Sequence, residues 1–270
     1  MPRVADIYRY PFKGLSAERM DRVSLSVGEV IPFDRAFAIE NGPSGFDPTS
    51  PQHVRKIAFL MLMRNERLAE LSTRFDERTQ TLAIHKGGAL VLESRLDTED
   101  GQQAVETFFE KFSAEELRGP AKILSAPGHS FQDTSTGKVI SLINLETVRD
   151  IERRIAACIN PLRFRGNLHV EGLAPWDEFS WVGNKVIAGG VTFTVTKRID
   201  RCAAVNVDPL TGARDLDIPR NMLKEYGHFD CGVYLKVVAA GELIAGDKIA
   251  ATDNVSPGGL KDELPVPTSS

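Results

Sequence analysis

The segment VTFTVTKRIDRC, residues 191–202, alternates apolar and polar side chains along most of its length. That period of two predicts an extended strand with one buried face and one open face. Val191, Phe193, Val195 and Ile199 share one face, broken only by Lys197. Thr192, Thr194, Thr196, Arg198, Asp200 and Cys202 share the other. With no bulge, Cys202 projects from the polar face toward a cleft or solvent. Arg198 and Arg201 bring positive charge close to it in sequence, a setting that favours the thiolate over the thiol. The residues alone equally allow an incidental cysteine at a strand end.

Short extended segments of this kind dominate the chain. RVADIYRYPF and RVSLSVGEVIPFDRAFAIEN read as strands joined by Gly and Pro turns, and LAELSTRFDERTQTLAIH reads as a hairpin. EDGQQAVETFFEKFS reads as a helix, with an acidic first turn and a face of Ala104, Val105, Phe108, Phe109 and Phe112. NLETVRDIERRIAACI reads as a second helix, capped by Asn144, whose stripe from Leu145 to Ile159 puts Cys158 in a core seam. VRKIAFLMLM fits a helix or a buried strand equally. LRFRGNLHVEG reads as a strand with Arg163 and Arg165 on one face, one of them a surface charge. RNMLKEYG suggests a short helix, and residues 251–270 a loose tail. The balance predicts a β-rich α+β fold with a barrel-like sheet.

Net charge is −4 over 270 residues, so no basic field exists to hold nucleic acid or an anionic membrane. Anionic ligands must be held by local clusters of Lys and Arg. No apolar run reaches the length of a membrane span or a signal peptide, which points to a cytoplasmic protein. Cysteines stand at 158, 202 and 231, an odd number without CxxC spacing, and Cys231 suits a core position better than a pocket wall. The five histidines form no HxH or HExxH pattern, which argues against a zinc hydrolase, and no GxSxG, Walker or GxGxxG motif is present.

RIDRCAAVNVDPLTG resembles the cysteine segment of the MOSC family, named for the molybdenum-cofactor sulfurase C-terminal domain. The likeness lies in an Arg-Cys pair followed by a Val-Asp-Pro-x-Thr-Gly turn. IYRYPFKGLSAERMDRVSLSVGEVIPFDRAFAIEN is similar to the family's N-terminal β-barrel region, LRFRGNLHVEG to its Phe-Arg-x-Asn segment, and GVYLKVVAAGELIAGDKI to its closing strands. The resemblance implies a MOSC-type β-barrel over residues 119–250, preceded by a β-barrel-like region over 1–118, similar to the amidoxime-reducing component type. It implies a molybdenum–pyranopterin cofactor with Cys202 as metal ligand. Lys13, Gly14, Arg35, Asn144, Arg165 and Arg201 would contact the cofactor, and Asp200 would lie in the substrate pocket or pair with Arg198. A family-level association with pyridoxal phosphate comes with it. The implied activity is reduction of a small N-hydroxylated substrate. With three cysteines the chain lacks the cysteines of an iron–sulfur extension, so the electrons would come from a separate ferredoxin, cytochrome or flavin reductase. A carrier of the cofactor, or of sulfur as a persulfide, is the alternative. Asp208 would at least shape the turn before Gly212. Loops 42–53 and 125–137 would govern substrate access.

Overall fold

A computed structural model describes residues 1–135 and 137–252. In chain order the first half carries β1 (Arg3–Arg9), β2 (Glu18–Met20), β3 (Arg22–Leu25), β4 (Ala38–Asn41), β5 (Leu71–Asp76), β6 (Thr81–Lys86) and β7 (Ala89–Arg95). Helix α1 (Glu99–Phe112), β8 (Ala121–Leu124), β9 (Ile140–Asn144), α2 (Leu145–Ile155) and β10 (Leu168–Glu171) follow. The chain then forms β11 (Lys185–Ala188), β12 (Val191–Asp200), α3 (Ile218–Tyr226), β13 (Asp230–Ala239), β14 (Gly241–Ile244) and β15 (Ile249–Ala251). The tail expected over 251–270 lies, from residue 253 onward, outside the described residues. No helix among the described residues is long and apolar enough to cross a membrane.

Eight strands form one sheet in the order β15-β11-β12-β13-β9-β10-β1-β2. The sheet curls into a half-barrel, as expected for a β-rich α+β chain. Backbone bonds from Val4 N to Asp247 O (2.8 Å), from Gly246 N to Val4 O (2.7 Å) and from Ile249 N to Pro2 O (3.1 Å) bring the turn before β15 onto the start of β1. The concave face is filled by residues at alternate strand positions, among them Val4, Leu142, Phe193, Val195 and Leu235. Each such fully buried apolar side chain contributes about 1.5–3 kcal/mol relative to exposure. β3 pairs with β14 and adds Val23, Leu25 and Leu243 to the same core. Strands from residues 1–118 therefore complete the sheet built by the later half.

A second core lies between the hairpin sheet β5-β6-β7, helix α1 and the β4–β8 pair, with Phe12, Phe37, Phe75, Leu82, Val105 and Phe109 at its centre. α1 starts at Thr98, whose side chain accepts from Gly101 N, and Val105 and Phe109 are its buried apolar residues. α2 and α3 enclose a third core containing Val148, Ile151, Ile218, Met222 and Cys231. Cys231 is wholly buried, as its sequence context suggested, and burial pushes its thiol up to about 12.

Three local readings are corrected. α2 stops at Ile155 because Ala156 takes a left-handed conformation (φ 52°), and this leaves Cys158 exposed rather than in the core seam. VRKIAFLMLM is neither helix nor strand. Only Lys56–Ala58 forms a single tight turn, and Phe59 to Leu62 are buried as a loop. LRFRGN is not extended either. Residues Pro161–Phe164 form a tight turn capped by Asn160, and Arg165 is left-handed (φ 51°). Alternation therefore does not govern Arg163 and Arg165, and neither is an exposed charge.

A buried polar hub joins the segments that meet at the end of β1. Asp34, 1% exposed, accepts from Tyr10 N (2.9 Å), from Asn167 Nδ2 (3.0 Å) and from the Arg35 guanidinium. Asn167, also 1% exposed, donates as well to Tyr8 O (3.1 Å) and accepts at Oδ1 from Ser141 N (3.1 Å) and Ser141 Oγ (2.8 Å). Segments from β1, from the loop before β4, from β9 and from the turn before β10 are thereby tied together.

Two stability predictions follow from these contacts. Asn167→Ala strands Asp34 and the Ser141 groups, and should cost about 2–4 kcal/mol in denaturant unfolding. Gly232 in β13 has φ +77°, and a Cβ there would run into the Leu142 carbonyl oxygen and the Ile143 side chain. Gly232→Ala should therefore lower unfolding stability by about 2 kcal/mol or more.

Candidate functional site

A pocket of about 300 Å³ opens beside the hub, between the end of β12, the start of β9 and the loops at residues 56–63 and 131–135. Lys13, Gly14, Arg35, Arg165, Asp200, Arg201 and Cys202 all line it, although they are distant along the chain. Asn144 does not. It is fully buried behind the sheet, where it accepts from Glu146 N as the cap of α2 and donates to Ala174 O and Glu178 Oε2, both at 2.8 Å. Of its two expected roles, the structure displays the cap.

The chain turns into the pocket at Lys13–Gly14. Gly14 has φ +83°, and a Cβ would sit 3.0 Å from Leu60 O, so only glycine passes here without strain. Lys13 is 7% exposed and donates to Phe131 O (2.8 Å) and to the Asp133 carboxylate. Burial pulls its ammonium down, although Asp133 opposes that. For Asp133 burial acts upward, but Lys13 and Lys56 outweigh it and hold the carboxyl below its usual range.

Arg35 and Arg165 both occupy left-handed backbone conformations, φ 52° and 51°. Such positions are uncommon for residues other than glycine, and they cluster at functional sites. Their guanidiniums lie 4.6 and 4.3 Å from the centre of the buried Tyr10 ring, within range of cation–π attraction. Arg35 also donates to Arg165 O (3.0 Å), and Arg165 donates to Leu15 O (2.7 Å). Burial draws Arg165 down to about 10, which leaves it charged at neutral pH.

At the other wall, Cys202 is partly exposed and precedes the tight turn Ala203–Asn206. The cation beside it is not Arg198, whose guanidinium turns away to lie 4.3 Å from the centre of the Phe179 ring. It is Lys56, which the sequence did not single out. Burial disfavours the Lys56 ammonium, but Cys202, Asp133 and Asp200 more than offset this and hold its pKa above the usual lysine value. Arg201 is spent as a clamp, donating to Cys231 O (2.8 Å from Nε) and Phe164 O (2.8 Å). Asp200 makes no ion pair with Arg198 and stays at the exposed rim. Asp208 lies outside the lining. It shapes the turn through bonds from Leu210 N and Thr211 N (both 2.9 Å) and receives Arg163 Nη2 at 3.0 Å. Of the two expected access loops, residues 131–135 reach the pocket and 42–53 do not.

Sequence reading missed Lys56, Asp133, Arg163, Lys197 and Tyr234 as wall residues. The one available signal was Lys197, whose charge interrupts an otherwise apolar face. The others stand on loops or on strands whose register the sequence does not reveal.

Seven Lys or Arg side chains and two Asp carboxylates line the pocket. Such an excess suits an anionic ligand. Among the described residues no three His, Cys, Asp or Glu side chains converge as a metal site. Cys202 therefore fits a metal whose other ligands arrive with a bound cofactor, and the cations around it fit an anionic one.

Residues 1–121 match the MOSC N-terminal beta barrel domain and residues 127–250 match the MOSC domain. The molybdenum cofactor sulfurase of Anopheles gambiae is 38% identical over 76 residues, 28% of this chain and 10% of that protein. Molybdenum cofactor sulfurase 2 of Culex quinquefasciatus is 32% identical over 81 residues, 30% of this chain and 10% of that protein. The aligned part is thus about a tenth of the length of these curated relatives. Among solved structures, the YUAD protein from Bacillus subtilis aligns over 92% of this chain and 94% of its own, at 14% identity and a TM-score of 0.42. YiiM from Geobacillus stearothermophilus aligns over 42% of this chain and 54% of its own, at 18% identity and a TM-score of 0.34. With both domain matches in chain order, the chain belongs to the MOSC family, an N-terminal β-barrel domain preceding its MOSC domain.

Proposed function

We propose that the chain binds a molybdenum–pyranopterin cofactor through Cys202 and reduces small N-hydroxylated substrates with electrons from a separate donor protein. A ferredoxin, a cytochrome or a flavin reductase would serve as that donor. The observation that carries this reading is the one partly exposed thiol in a pocket lined by seven cations and two carboxylates. When bound, the cofactor would supply two-electron oxygen removal, in which N–OH, two electrons and two protons give N–H and water.

The protein's own side chains have distinct tasks in this scheme. Cys202 would hold the metal as a thiolate ligand. Lys13, Arg35 and Arg165 would hold the anionic cofactor, because Lys13 is fixed by Phe131 O and Asp133, and Arg35 and Arg165 by the hub and the Tyr10 ring, so they need no reorganisation to receive it. Arg201 would position Cys202 indirectly by clamping the end of β12 to the Cys231 and Phe164 carbonyls. Asp200, at the exposed rim, would pass protons between water and the pocket. Asn144 would act on the site only through the start of α2.

A second reading is a carrier of the cofactor, or of sulfur as a Cys202 persulfide. It is supported by Lys56 beside the thiol, which would pair with a persulfide anion, and by the sulfurase names of the two curated relatives. Elemental analysis of protein from a molybdenum-replete host separates the enzyme from a sulfur carrier, and turnover of an N-hydroxylated substrate separates it from a carrier of the cofactor. Stoichiometric molybdenum, with pterin fluorescence after denaturation, is expected for the enzyme. Metal-free protein with cyanide-labile sulfur would instead establish the carrier. In Cys202→Ser, molybdenum retention and reduction of an N-hydroxylated substrate should both fall roughly tenfold or more, since a hydroxyl is a poor ligand for this metal.

A further inference from the structure

Most polar groups in the pocket wall are already committed. Arg163 donates to Asn206 O (3.0 Å) and to Asp208 (3.0 Å) and Asp215 (2.9 Å). Arg201 serves the Cys231 and Phe164 carbonyls, Lys13 serves Phe131 O and Asp133, and Arg35 serves Asp34 and Arg165 O. Tyr234 differs from all of these. Its side chain lines the pocket, and its electrostatic neighbours are Arg201, Asp133, Arg35 and Asp200. The Lys197 ammonium lies 5.7 Å from its ring centre. Among the described residues the Tyr234 hydroxyl makes no hydrogen bond, like that of Tyr8 outside the pocket, whereas Tyr10 donates to Gly166 O and Tyr226 to Asp150. The hydroxyl is not among the unpartnered polar atoms sealed from solvent, so it faces open space where a ligand entering the site can meet it.

The backbone keeps that hydroxyl where it is. Tyr234 stands in the interior of the sheet on β13, opposite Lys197 of β12 and Ser141 of β9. We propose that Tyr234 is a ligand-contacting hydrogen-bond donor that meets the nitrogen-bound oxygen of the substrate in the pocket it shares with Cys202. This inference rests on the function proposed above and names a residue for it. Burial raises the phenol above its ordinary value, so it remains protonated and able to donate at neutral pH. Being neutral, it recognises an oxygen atom without adding to the pocket's positive charge, which Lys56 and Lys197 cannot do. As the N–O bond breaks, negative charge grows on that oxygen and the donated bond strengthens, so its effect falls mainly on turnover.

Tyr234→Phe removes one oxygen atom and keeps the ring, and it is tested in three ways. Molybdenum content should equal that of the wild type. With benzamidoxime as the N-hydroxylated probe and a chemical reductant in place of the donor protein, kcat should fall roughly ten- to hundredfold. Calorimetric affinity for benzamidoxime should fall about two- to tenfold, as for one lost hydrogen bond. Unchanged kcat and affinity in a molybdenum-loaded variant would overturn the proposal. If wild-type protein holds no molybdenum, the oxidoreductase reading fails by itself, and the calorimetric comparison still decides Tyr234. Equal affinity in both proteins, or no measurable binding to either, then counts against it.

Discussion

The buried contact between Asp34 and Asn167 is the constraint on which the site depends. A carboxylate this deeply enclosed is costly unless its lone pairs are filled, and here three donors from separate segments fill them. Because those donors are Tyr10 N, the Asn167 amide and Arg35, satisfying one charge fixes the end of β1, the turn before β10 and the first pocket cation together. Asn167 extends the same network to Ser141 on β9. The walls of the pocket are thus positioned by a group that lies outside its lining.

The hub also bears the electrostatic strain of the pocket. Arg35 and Arg165 both lie within 5 Å of one tyrosine ring centre and so repel each other. The Asp34 carboxylate and the negative face of Tyr10 offset that repulsion without occupying the cavity. Lys13 faces Asp133, and Lys56 faces Cys202, Asp133 and the rim carboxylate Asp200. A wall of seven cations and two acids is therefore poised to gain stability from an anion, and the same wall would lose some of that gain at high salt wherever it is exposed.

How far the sequence revealed this follows from the range of the forces involved. Alternation in β12, the acidic start of α1 and the Asn144 cap are local, and the structure contains all three. The four cations taken from the family resemblance do reach one pocket. What failed was set by single backbone torsions. Left-handed Ala156 ends α2 early and exposes Cys158, and left-handed Arg165 breaks the strand expected through LRFRGN. Lys56 was hidden because VRKIAFLMLM carries apolar residues that fill a core as a loop, with no period for pattern reading to detect.

β12 alternates regularly in burial but not in its register with β13. β12 pairs Val195 with Leu235 and then Lys197 with Tyr234, a step of two residues against one. The extra residue is a bulge, which bends the strand. Further slips separate Thr192 from Phe193 and Arg198 from Asp200. Burial still alternates as far as Ile199, with Arg198 and Asp200 on the exposed side. Arg198 turns out onto Phe179, while Lys197, Ile199, Arg201 and Cys202 all reach the pocket. β12 ends at Asp200, so Cys202 is placed by the chain beyond the strand, where it leads into the tight turn Ala203–Asn206. The alternating part of β12 fills the core, and the end of the strand with the turn after it builds the site.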